Sequence, residues 1–248
     1  MTATLVDTII AATWTVLANG IGGLPFVFVK DFPEKVARLG WAVSGGLMLS
    51  ASVFNLIMPG VTHGGITPVA VGILLGAGMM ILTSMWLGDH EFHFDGMSDS
   101  GSRRIILVLA TLFIHSFPEG LAIGVAYGSG EARLGIIIAI AIAIHNIPEG
   151  LAVALPMRAE GVGGWKCVGW AIFSGVPQLL AAVPAYLAVI AFKPILPYAF
   201  GFAAGAMIFL VLSEMIPESR ATEKQRIGSA MAGMAGFLVM MLIQNVLA

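Results

Sequence analysis

The chain has 248 residues, of which 58% are hydrophobic and 10% charged, against roughly 25% charged in soluble domains; mean hydropathy is +0.95. Twelve basic residues against fourteen acidic ones, a net charge of −2, build no phosphate-binding face, which excludes nucleic acid as a partner along with disordered and collagenous classes. A single cysteine, Cys167, excludes a disulfide framework and any CxxC zinc or redox motif. What remains is a polytopic membrane protein whose solvent is the lipid bilayer.

A membrane-crossing helix needs about 20 mostly apolar residues. Windows of that kind fall at 8–29, 39–58, 66–88, 105–127, 134–157, 167–192, 194–213 and 227–248. The segment PGVTHGG at 59–65 reads as the turn that divides the charge-free run 39–88. Continuous apolar runs without alternation exclude a β-barrel, so the expected fold is an all-α integral membrane protein of eight helices. The chain reads as one transmembrane domain over 1–248, with no charged n-region of a signal peptide before Lys30.

Orientation follows the basic residues. Lys30, Lys35, Arg38, Arg103, Arg104, Arg158, Lys166, Arg220, Lys224 and Arg226 lie in odd-numbered connections, whereas only Arg133 and Lys193 lie in even ones. That bias puts the odd connections in the cytoplasm and both termini outside a cell (plasma or inner) membrane.

Ionisable residues inside spans are costly and mark function. Here they are His115, Glu119, His145, Glu149 and, nearer a helix end, Glu214, with no Lys or Arg in any span window to neutralise them. Such an interior favours a cation. Spans four and five carry HSFPEG at 115–120 and HNIPEG at 145–150, thirty residues apart, hence on antiparallel neighbours at matched depth. Within each motif His and Glu stand at i and i+4 on one helix face. The prolines, Pro118 and Pro148, remove an amide donor and crowd the carbonyl four residues back, so a kink is expected at each. Two imidazoles and two carboxylates suit Zn²⁺, Fe²⁺, Mn²⁺ or Co²⁺ better than Na⁺, K⁺ or Ca²⁺.

At these residues the chain resembles the ZIP (Zrt-, Irt-like protein) family of divalent metal transporters, in the bacterial branch with paired HxxPEG motifs. The resemblance implies a metal site formed by His115, Glu119, His145 and Glu149, joined by Met48 from GLMLSAS (46–52). It implies transport of zinc (with Fe, Mn, Co and Cd as further substrates) by an elevator-like or rocking motion, no separate cofactor, and a homodimer. The family often has a second, adjacent site; at its positions this chain carries neutral Ser116, Asn146 and Gln178, too weak a donor set for a second dication. GAMIFLVLSEMIPES (205–219) matches a family pattern on the seventh helix and offers Glu214 and Glu218 as exit-path ligands. Its weak likeness to GLMLSASVFNLIMPG (46–60) suggests a 3+2+3 arrangement, with inverted repeats of helices one to three and six to eight around helices 4 and 5. The cytoplasmic loop 88–104 adds Asp89, His90, Glu91 and His93 as a capture cluster.

The expected function is therefore movement of a divalent transition metal into the cytoplasm. The rival, an intramembrane metal-dependent hydrolase, needs an open water position and a separate general base, and no HExxH motif supplies one.

Overall fold

The computed structural model describes residues 3–29, 33–89, 99–219 and 223–247, and every regular element among them is helical. Among the described residues, eight helical runs carry the chain. α1 is Leu5–Gly23, extended by the single turn Pro25–Phe28. α2 joins Glu34–Ala51, the π-helical Ser52–Ile57 and Met58–Gly64. α3 is Ile66–Asp89, α4 Asp99–Gly128 and α5 Ala132–Ala159. α6 is Gly164–Ser174 followed by Val176–Ala191. α7 joins Leu196–Leu210, the π-helical Val211–Met215 and Ile216–Glu218, and α8 is Glu223–Leu247.

Among the described residues, seven helical stretches are long and apolar enough to cross a membrane. α4, with 30 residues, extends about 45 Å at 1.5 Å per residue, long enough to cross as well. The N-terminus of α1 is closed by a capping box: Asp7 N–H donates to Thr4 Oγ1 at 3.2 Å and Thr4 N–H donates to Asp7 Oδ2 at 2.9 Å.

The segment 59–65 is not a turn: Met58–Gly64 stays helical through Pro59, and the chain turns only at Gly65, whose φ of 82° suits a residue without Cβ. The sixth span runs over Gly164–Ala191 with a one-residue interruption at Gly175, because Pro177 starts the second piece and cannot donate to the first. Pro118 and Pro148 lie inside continuous helices, and π turns stand in α2 and α7, just ahead of Pro59 and Pro217.

Those two π turns expose the repeat. Ser52–Ile57 and Val211–Met215 begin 159 positions apart, as do Gly46 and Gly205. The packing obeys the same exchange of α1–α3 for α6–α8 and α4 for α5. Extensive packing joins α3 with α7 and its counterpart α8 with α2, and likewise α4 with α6 and its counterpart α5 with α1. Each pair is backbone against backbone. A Cβ on Gly205 would lie 2.1 Å from Ile73 O, and one on Gly46 1.9 Å from Gly233 O. Gly120 and Gly150 are matched likewise, their Cβ positions 2.2 Å from Gln178 O and 1.8 Å from Asn19 O. Small residues let transmembrane backbones approach this closely, which is the main source of packing energy where lipid competes for every apolar contact.

The result is two interlocked groups. α1, α4, α5 and α6 pack around one another; α2 and α7 flank them through α5 and α4, with α3 and α8 outermost. Only 22% of the span residues of α3 and of α8 are buried, against 50% to 61% in the other helices measured. Their exposed Leu74, Leu82, Met231 and Leu242 face the hydrocarbon, as a lipid-solvated surface requires.

Candidate metal site

The i, i+4 spacing of each motif puts both of its donors on one face, and the α4–α5 pairing turns the two faces together. His115, Glu119 and His145 are fully buried and Glu149 is 3% exposed. Donor atoms of His115, Glu119 and Glu149 lie within 4.8 Å of one another. His145 joins the group through Glu119, with Nε2 and Oε1 2.8 Å apart. His115 Nε2 is 3.4 Å from Glu149 Oε1. Neither ring nitrogen of His115 has a hydrogen-bond partner, and neither does Glu149 Oε1. Buried polar atoms are nearly always satisfied, so this cluster is built for something beyond its own atoms.

The neighbouring sequence-selected polar residues form a support. Gln178 Nε2 donates to Glu119 Oε2 at 2.5 Å, and Asn146 Nδ2 donates to Gln178 Oε1 at 3.1 Å and to Thr15 O at 2.9 Å. Ser116 is buried beside its motif histidine in sequence. Met48 is fully buried in the main core with Ile142, Met207 and Met215. Glu214, in the π turn of α7, brings Oε2 to 4.0 Å from His115 Nδ1, and its side chain is 30% exposed. The structure therefore adds Glu214 to the motif cluster and ties Gln178 and Asn146 to Glu119. The side chains of Asp89 and Glu218, and all of His90, Glu91 and His93, lie outside the described residues.

Sequence reasoning missed three contributors. Thr15 supplies a carbonyl to Asn146, Ser44 Oγ donates to His145 O at 3.1 Å, and Asn19 is buried where α1 meets Gly150. The signal available was Thr8, Thr15 and Asn19 at helical spacing, sharing the buried side of a mostly apolar helix.

A multi-pass helical membrane protein with a buried cluster of imidazoles and carboxylates, and inverted repeats around it, defines an ion-handling membrane protein. The family model described as "ZIP Zinc transporter" matches residues 93–244. The chain is 32% identical to the zinc transporter GufA of Myxococcus xanthus, covering 88% of this chain and 89% of that protein. It is 37% identical to the zinc transporter ZIPB of Bordetella bronchiseptica, over 93% and 78% of the two chains. A putative zinc transporter of Arabidopsis thaliana is 38% identical over 82% of this chain, which spans only 33% of that longer protein. The chain belongs to the ZIP zinc transporter family. Membership in a family of transporters sets aside the intramembrane hydrolase.

Proposed function

We propose that this chain carries a divalent transition metal, zinc foremost, across the cell membrane into the cytoplasm through His115, Glu119, His145 and Glu149. The observation that carries this reading is the set of buried donors that make no hydrogen bond: both nitrogens of His115 and Oε1 of Glu149. Two carboxylates match the charge of one dication, and no Lys or Arg is among the buried side chains described. The mixed N/O set also accommodates Fe²⁺, Mn²⁺, Co²⁺ and Cd²⁺.

The four motif donors all sit on α4 and α5, inside the group formed with α1 and α6. The close glycine contacts of α1 with α5 and α4 with α6 make that group the natural moving part. α2 and α7, each locked to an outer helix by the same kind of contact, make the frame, which holds Met48 and Glu214. Displacement of the first group against the second takes the ion from outside, past Met48, to Glu214 and Glu218 near the cytoplasmic end of α7. Ser116, Asn146 and Gln178 line the neighbourhood as neutral support, and Asp89, His90, Glu91 and His93 receive metal in the cytoplasmic loop. The ten-to-two bias of basic residues supports cytoplasmic odd connections and external termini. The working form is a homodimer.

The deciding experiment is uptake of Zn, Fe, Mn, Co and Cd into liposomes holding the purified chain, with and without a pH gradient, beside the His115→Ala protein. Metal entry that His115→Ala abolishes supports the reading. Equal uptake by both proteins overturns the site, and no metal uptake by the native chain overturns the function.

A further inference from the structure

We propose that the two motif glutamates do different work: Glu119 is a pinned anchor held by the positioning residue Gln178, whereas Glu149 is the free carboxylate that passes the ion toward Glu214. This rests on the reading that the His115–Glu149 cluster holds the cargo.

The pin is a continuous chain of hydrogen bonds. Thr15 O on α1 accepts from Asn146 on α5, Gln178 Oε1 on α6 accepts from the same amide, and Gln178 Nε2 donates to Glu119 Oε2 on α4. All four helices of the inner group are tied at the depth of the site. Glu119, Asn146 and Gln178 are each fully buried, so none of these bonds exchanges freely with water. The direction of the Gln178 amide follows from its partners, since Asn146 presents a donor and Glu119 an acceptor. Glu119 Oε2 is thereby occupied, and Oε1 alone points toward His145. Such a carboxylate is a one-oxygen ligand of set orientation.

The repeat exchange shows what the other half lacks. It maps Glu119 onto Glu149, Gly120 onto Gly150, and Gln178 onto Asn19, as the paired close contacts Gly120–Gln178 and Gly150–Asn19 require. Asparagine is one methylene shorter than glutamine. Asn19 Nδ2 has no hydrogen-bond partner and lies 2.6 Å from where a Cβ on Gly175 would stand, turned to the break in α6. Glu149 Oε1 is left without a hydrogen bond. That free oxygen lies 3.4 Å from His115 Nε2, whose other nitrogen is 4.0 Å from the partly exposed Glu214. The unpinned half of the site thus faces the only acidic side chain described on the frame helix α7 within reach of a motif donor. A residue that moves with the leaving ion must be free to reorient, and one that holds it must not.

The test uses the purified full-length chain with Co²⁺ as the bound probe and Zn²⁺ uptake into liposomes as the transport readout. Supporting groups around a metal ligand contribute about 10- to 100-fold in affinity. Gln178→Ala should therefore weaken Co²⁺ binding at least tenfold, shift the visible Co²⁺ spectrum, and raise KM with little change in maximal rate. Asn19→Gln, which extends an amide toward Glu149, should lower the maximal rate several-fold with affinity kept or tightened. A role for Gln178 in folding alone would reduce the amount of binding protein and leave the spectrum of the remainder native. If Gln178→Ala does not fold, Gln178→Asn withdraws the amide by one methylene and carries the same expectation. Native Co²⁺ spectrum and native KM in the Gln178 variant overturn the division of labour. Absence of Co²⁺ binding by the native chain overturns instead the cargo site on which it rests.

Discussion

Replacing Glu149 with alanine removes one of the two carboxylates that face the candidate ion, at a position 3% exposed. A unit charge pair 4 Å apart is worth roughly 4 kcal/mol at an effective dielectric of 20, so a carboxylate and a dication gain about 8 kcal/mol before dehydration. Dehydration offsets much of that; removing one partner of a buried charge pair costs about 3–5 kcal/mol net. At ~1.4 kcal/mol per decade this is a hundred- to several-thousand-fold loss of metal affinity. The loss falls on binding rather than folding, because Glu149 Oε1 makes no hydrogen bond that the fold would miss. The assay is equilibrium Zn²⁺ binding to the purified variant, together with liposome uptake at matched protein incorporation. Near-native affinity and uptake by Glu149→Ala would refute the charge argument and the site with it.

Other expectations follow from the same geometry. One metal should remain per chain after extensive dialysis, since a second dication about 4 Å from the first meets roughly 16 kcal/mol of repulsion at that dielectric, and Ser116, Asn146 and Gln178 carry no charge against it; two full ions seen by anomalous scattering at the His115 level would contradict this. Metal affinity should fall as pH falls, because both imidazoles and both carboxylates bind metal only when deprotonated; titrating Zn²⁺ binding across acid pH checks the sign, and tighter binding in acid would be the contrary result. Gly150→Val should unfold or misassemble the protein, as even a Cβ there lies 1.8 Å from Asn19 O, whereas Gly169→Ala, with nothing within 4 Å, should leave thermal stability in detergent near native.

The sequence by itself determined an all-helical membrane fold and picked out the motif residues that the structure gathers into one buried cluster. Spans are legible because hydrocarbon admits only closed hydrogen-bonding helices of a minimum length, and HSFPEG and HNIPEG were legible because ionisable groups are so rare there. The limits of local reading show at Pro59, where a proline-glycine pair looked like a turn and is helix. They show again at Gly175, where an unbroken apolar run conceals a break. Tertiary structure alone decided how the halves of the site differ. Gln178 and Asn19 are 159 positions apart and look unrelated in the chain; only the packing of α6 on α4 and of α1 on α5 makes them counterparts. Which carboxylate is pinned depends on the length of one side chain across a helix interface, and hydropathy and spacing carry no record of what lies across an interface.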